Sequence, residues 1–103
     1  MNRIFAIGDI HGCFDQLQTL MQNIRIDRQS DTLVFIGDYI DRGKAVKEVV
    51  DYVIGLKNKL PKVICLLGNH ERMFLDYLEG REEENYLYNG GNATLASYGI
   101  SRV

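Results

Sequence analysis

The chain has 103 residues, of which 46% are hydrophobic and 25% charged, and 12 Lys+Arg stand against 14 Asp+Glu for a formal net charge of -2. The length suits one domain or a piece of one, and the composition is globular rather than disordered. Nothing in the charge balance offers a basic footprint for nucleic acid or a polybasic stretch for an anionic membrane, and no apolar run approaches the ~20 residues of a membrane span.

Ile4-Phe5-Ala6-Ile7 is the first of three short runs of mostly branched apolar side chains, with Leu33-Val34-Phe35-Ile36 and Val63-Ile64-Cys65-Leu66-Leu67 after it. None alternates with polar residues, which is the pattern of strands buried on both faces of a parallel sheet. Between the first two, Phe14, Leu17, Leu20, Met21 and Ile24 recur at helical spacing; between the second and third, Val46, Val49, Val50, Val53 and Ile54 do the same. Pro61 stops the second helix ahead of the third run. The order is therefore βαβαβ, with right-handed crossovers expected. His70 to Leu78 is again helical and is closed by Gly80; Arg81-Glu82-Glu83-Glu84 is a solvated helix start or loop. Asn89-Gly90-Gly91-Asn92 predicts a turn, with Asn92 capping a short helix that runs through Tyr98 and ends at Gly99. Tyr86, Tyr88 and Tyr98 are expected in a core or groove wall, and Ile100 to Val103 begins a further element. Asp9 breaks the apolar run after Arg3, which argues against a signal peptide, and Cys13 and Cys65 fit neither a disulfide framework nor a metal spacing. A cytoplasmic protein whose reduced thiols serve as packing residues is the expectation.

Each strand run ends alike: Gly8-Asp9, Gly37-Asp38 and Gly68-Asn69. Ligands of open parallel sheets bind outside the carboxyl ends of the strands, so Asp9, Asp38 and Asn69 should come within reach of one another. Both histidines lie beside these exits, His11 two after Asp9 and His70 directly after Asn69, while Asp41 and Arg42 follow Asp38. Carboxylate, carboxamide and imidazole suit hard-to-borderline divalent ions such as manganese, iron or zinc. A shared carboxylate could bridge two ions roughly 3.5–4 Å apart, and the planar fork of Arg42 suits phosphate oxygens.

Gly8-Asp9-Ile10-His11-Gly12, Gly37-Asp38-Tyr39-Ile40-Asp41-Arg42-Gly43 and Gly68-Asn69-His70-Glu71 resemble the three signature motifs of the calcineurin-like metallophosphoesterases, in the form seen in bacterial and phage serine/threonine protein phosphatases of the PPP type. Asn89-Gly90-Gly91, Thr94-Leu95 and Ser97-Tyr98-Gly99 are similar to compact bacterial members. The resemblance implies an α/β layered β-sandwich flanked by helices, of which residues 1–103 supply the first βαβαβ half, as the N-terminal portion of a single domain. It implies two divalent ions, manganese foremost, held by Asp9, His11, Asp38 and Asn69, with Asp38 bridging. Arg42, Asn69 and His70 would contact the phosphate, His70 would protonate the leaving oxygen, and Asp41 would orient His70. Water activated by the two cations would attack phosphorus in line, with no phosphoenzyme.

The family's site also uses two further histidines and a second arginine from its C-terminal half, whereas this chain has two histidines and none after His70. The family's second sheet is expected to be absent as well. The chain is expected to be incomplete, to be of doubtful activity alone, and to self-associate through an exposed apolar sheet face. The function expected first is hydrolysis of phosphoserine or phosphothreonine in a phosphoprotein or phosphopeptide. Hydrolysis of diadenosine tetraphosphate on the same fold is the alternative, followed by a non-catalytic module that binds metal or phosphate.

Overall fold

The computed structural model describes residues 2–100. Strands β1 (Ile4–Ile7), β2 (Thr32–Phe35) and β3 (Val63–Cys65) form a parallel sheet in the order β1-β2-β3. The register aligns Phe5 with Leu33 and Leu33 with Val63, and Ile7 with Phe35 and Phe35 with Cys65. These positions point to one face, where Ile7, Leu33, Phe35 and Val63 are buried. Helices α1 (Phe14–Ile24) and α2 (Val46–Lys59) cover that face. Their apolar stripes supply Leu17, Val49 and Val53 to the same core, with Phe14, Met21 and Tyr52 at its margin. Arg3 fixes the entry to β1 and to the central strand β2: its guanidinium donates to Asp31 Oδ1 at 3.1 Å and Oδ2 at 2.7 Å, while its carbonyl accepts from Thr32 at 2.8 Å.

The opposite face differs from the sequence expectation of burial on both sides. Ile4 is 73% exposed, Ile36 49%, Ile64 48% and Leu66 46%. The runs do not alternate because the outward positions are apolar too, and no described element packs over them. The exposed apolar face anticipated above is therefore present.

Helix α3 (Asn69–Leu78) starts directly at the third strand exit. Helix α4 (Glu83–Tyr86), a wide π turn at Leu87–Gly91 and helix α5 (Asn92–Ser97) then follow without a break. Here too the structure corrects the sequence reading. Only Asn89 (φ -87°, ψ 20°) and Gly90 (φ 104°) leave helical geometry, and Asn92 at φ -56° is inside the helix and caps nothing. A single left-handed glycine kinks the path rather than reversing it, and Asn89 spends its amide on the Asn85 carbonyl at 2.7 Å. Tyr77, Tyr86 and Leu95 form a second small core with Met73, Phe74 and Leu87 at its edge. Of the three tyrosines expected in a core or wall, Tyr86 is fully buried, Tyr98 is 39% exposed and Tyr88 is 90% exposed. Cys13 is exposed rather than packed, and Cys65 is half-buried. The element expected from Ile100 onward lies almost wholly outside the described residues.

Candidate functional site

The three strand exits are stitched together by backbone. Ile10 and His11 donate their N–H groups to the Asp38 carbonyl at 3.0 and 2.9 Å, Gly12 donates to Tyr39 at 2.9 Å, and Gly43 donates to His11 at 2.9 Å. Side chains would not fit at these crossings: a Cβ on Gly37 would meet the backbone of Gly68, and one on Gly43 would meet the carbonyl of His11. The Glu71 carboxylate locks the second exit to the third. Its Oε1 accepts from Gly68 at 2.9 Å and Asp38 at 2.6 Å, and its Oε2 from Tyr39 at 2.9 Å and Ile40 at 3.3 Å. His11, Asp38, Asp41 and Arg42 all have positive φ (45°, 58°, 75° and 71°), a region that non-glycine residues seldom occupy. Such strain gathers where surrounding contacts over-determine the backbone.

The exits bring Asp9, His11 and Asp38 together, with one ligand atom of each within 4.8 Å of the others. The donor set is specific in its chemistry. His11 Nδ1 lies 2.8 Å from the Ile40 carbonyl, which can only accept, so Nδ1 carries the proton. That leaves Nε2, 3.9 Å from Asp9 Oδ2, as the atom with a free lone pair. A histidine whose second nitrogen is tied to a carbonyl is the usual arrangement for a metal ligand. Asp38 Oδ1 accepts the His70 N–H at 2.8 Å, which aims its carboxylate. Two carboxylates and one oriented imidazole fit a hard-to-borderline divalent ion.

Beside this cluster the His70 ring packs edge-on against His11, with centroids 4.4 Å apart. His70 Nδ1 is 2.7 Å from Asp41 Oδ2, and both side chains are buried. The other oxygen of Asp41 accepts from Tyr86 at 2.6 Å and from Thr94 at 2.7 Å. Thr94 Oγ1 in turn accepts the Asp41 N–H at 2.9 Å. Burial, and then the hydrogen bond to Asp41, push the Tyr86 phenol upward, so it stays a donor.

Asn69, the fourth expected ligand, is exposed at the start of α3, and its carboxamide has no hydrogen bond among the described residues. The guanidinium of Arg42 is likewise exposed and has no ion-pair partner among the described residues, while the backbone N–H of Arg42 donates to the Gly90 carbonyl at 3.0 Å. Asp41 faces His70 rather than its chain neighbour Arg42. Sequence reasoning gave no role to Glu71 or Thr94 and placed Tyr86 only in a core or groove wall. Glu71 stood in the third motif, but its partners are backbone groups that leave no trace in residue identity. Tyr86 and Thr94 lie 45 and 53 residues from Asp41, and only the folded path of the helices brings them there.

The sequence model of the calcineurin-like phosphoesterase family matches residues 2–101. The chain is 42% identical over 77 residues to the symmetrical bis(5'-nucleosyl)-tetraphosphatase of Nitrosococcus oceani, covering 75% of this chain and 27% of that protein. It is 41% identical over 81 residues to the protein of the same name from Xylella fastidiosa, covering 79% and 27%. With serine/threonine-protein phosphatase 2 of Salmonella typhimurium it shares 36% over 88 residues, covering 85% and 38%. A structure solved under the provisional name diadenosine tetraphosphatase superposes with a TM-score of 0.64 at 32% identity, covering 75% of this chain and 32% of that one. A cold-active protein tyrosine phosphatase superposes at 0.70 with 26% identity, covering 96% and 31%. The chain thus spans about a quarter to two-fifths of the length of these proteins.

Proposed function

Since the chain belongs to the calcineurin-like phosphoesterase family, we propose that it carries the core of a metal-dependent phosphohydrolase site whose substrate is a dinucleoside polyphosphate of the tetraphosphate type. The observation that carries the hydrolase reading is the convergence of Asp9, His11 and Asp38 beside a buried His70–Asp41 pair. The substrate class is supported by the names of the relatives: the tetraphosphatases share 41–42% of aligned residues, the Salmonella phosphatase 36%. This reverses the order in which the sequence alone ranked the two substrates.

In this reading Asp9, His11, Asp38 and Asn69 hold two divalent ions, manganese first. Bound cations supply charge that acidifies water and neutralises phosphoryl oxygens. The exposed guanidinium of Arg42 binds and orients the phosphate chain. His70 keeps its proton on Nδ1 toward Asp41 when neutral, and a second proton on Nε2, at the opposite edge of the ring, is the one delivered to the leaving oxygen. Asp41 holds that ring in place. Four side chains are few for two ions of five or six ligands each, so neighbouring groups or water complete the set.

A second reading, phosphoserine or phosphothreonine hydrolysis, is favoured by the longer alignment with the Salmonella phosphatase, 85% of this chain. The test offers diadenosine tetraphosphate and a phosphothreonine peptide to the manganese-loaded chain, with Asp38→Asn as control. Manganese-dependent turnover favouring the dinucleotide, and lost in the control, is expected. Preference for the peptide would establish the second reading. Manganese binding without turnover of either substrate would overturn the assignment of a working site to this chain.

A further inference from the structure

We infer that Tyr86 and Thr94 are positioning residues that act through Asp41 to fix the ring of His70. The helical segment running from α4 through α5 would then set the geometry of the proton donor, a consequence that rests on the hydrolase reading above.

Asp41 is fully buried, so neither oxygen can turn to water. Thr94 Oγ1 accepts the Asp41 N–H, which directs its own proton to Asp41 Oδ1. One hydroxyl thereby grips both the backbone and the side chain of the same residue. Tyr86 adds a second donor to Oδ1 and cannot swing away, since its ring is held by Tyr77 and Phe74 at centroid distances of 5.1 and 5.8 Å. A Cβ on Gly91 would strike that ring, so the glycine is what lets the π turn close over it. With Oδ1 occupied twice, Oδ2 is left for His70 Nδ1 alone. Rotating the carboxylate would strand two buried hydroxyl donors, so the ring of His70 inherits a fixed orientation and a fixed tautomer.

The same segment holds the neighbouring residue. Gly90 accepts the Arg42 N–H at 3.0 Å, so Asp41 and Arg42, consecutive residues at φ 75° and 71°, are clamped from one side by Tyr86, Gly90 and Thr94. A helix that served only as core would need Tyr86 for its ring and would have no use for its hydroxyl. Both hydroxyls converge on one carboxylate oxygen, which a packing role does not explain.

The chain has two histidines, so a spectrum of the metal-free protein with 15N-labelled histidine is simple to read. The parent should show His70 as the Nδ1–H tautomer with a slowly exchanging ring proton. Tyr86→Phe, which keeps the ring and removes only the hydroxyl, and Thr94→Val should give mixed tautomers and fast exchange at His70. The His11 signals, tied to the Ile40 carbonyl, should stay in place. Thr94→Ser should restore the parent spectrum. If Tyr86→Phe melts cooperatively and leaves the His70 signals unchanged, the inference is overturned, whatever becomes of Thr94→Val. With manganese and substrate, Tyr86→Phe should lower kcat about tenfold at unchanged KM, a part of the ~10²–10⁴ that positioned proton transfer supplies; a rise in KM alone would also overturn it. A parent chain with the slow His70 proton but no turnover would refute the hydrolase reading and leave the positioning role standing.

Discussion

Glu71→Gln is the substitution that most directly probes how the site is held. The carboxylate accepts four backbone N–H groups, from Gly68 and Asp38 on one oxygen and from Tyr39 and Ile40 on the other. A glutamine amide keeps one oxygen, and in either orientation its NH2 faces two of those donors. A hydrogen bond to a charged acceptor contributes about 1.5–3 kcal/mol, and an unpaired buried donor costs about 1–3 kcal/mol. The site is partly open and the Ile40 bond is long at 3.3 Å, so water recovers some of the loss. A net cost of about 2–4 kcal/mol follows, against a total stability of about 5–15 kcal/mol for a domain. For a chain of this size that is a fall in Tm of roughly 10–25 °C. Thermal melting followed by circular dichroism measures it, with urea unfolding as the second probe. Manganese affinity should fall as well, because the Asp38 backbone that Glu71 holds carries one carboxylate of the Asp9–His11–Asp38 cluster. A loss below about 1 kcal/mol would refute the reasoning and mean that the glycine crossings alone keep the exits in register.

Gly43→Ala puts a Cβ against the carbonyl of His11 and the backbone of Gly12, so manganese binding by calorimetry should weaken by about 5- to 150-fold, as overpacking of ~1–3 kcal/mol implies; unchanged affinity would refute it. The hydrogen bonds from Arg3 hold the Asp31 carboxyl below the usual carboxylate range. A lowered folded-state pKa stabilises the fold above the unfolded value of about 3.9 and loses that effect as pH falls through the folded value. Asp31→Asn should therefore be less stable than the parent at neutral pH, with the gap closing below about pH 4 in urea midpoints; a constant gap would contradict the pairing. The exposed apolar sheet face predicts self-association by sedimentation, relieved by Ile64→Lys without loss of the cooperative melt. A monodisperse parent would refute that.

The layout of the sheet was legible because two sequence signals agreed. Branched runs of four or five residues alternate with helical stripes such as Phe14, Leu17, Met21 and Ile24, and each run ends in Gly followed by Asp or Asn. Strand limits moved by one or two residues: β2 begins at Thr32, and β3 stops at Cys65 while the apolar run continues to Leu67. Apolar identity cannot show where the ladder ends, because Leu66 and Leu67 are exposed. The segment 89–92 was misread for a related reason. Asn and Gly signal departure from a helix, yet the pull of Tyr86 and Leu95 into one small core keeps the chain helical on both sides of Gly90. Tertiary burial overrode local preference there.

The site itself divides along the same line. Asp9, His11 and Asp38 were readable because their spacing from the strand ends fixes where they arrive. Glu71, Tyr86 and Thr94 were not, because their function is to hold backbone and side-chain geometry that the other residues would not adopt unaided. His11, Asp38, Asp41 and Arg42 each occupy a strained φ, at about 1–3 kcal/mol apiece. What offsets that cost is named in the structure: four N–H groups on Glu71 for Asp38 and its neighbours, and the Thr94 hydroxyl and Gly90 carbonyl for Asp41 and Arg42. The residues that touch metal and phosphate in the proposed reaction are thus set by the strand exits. Whether they are aimed depends on the residues around them, and substitutions there should change geometry before they change composition of the site.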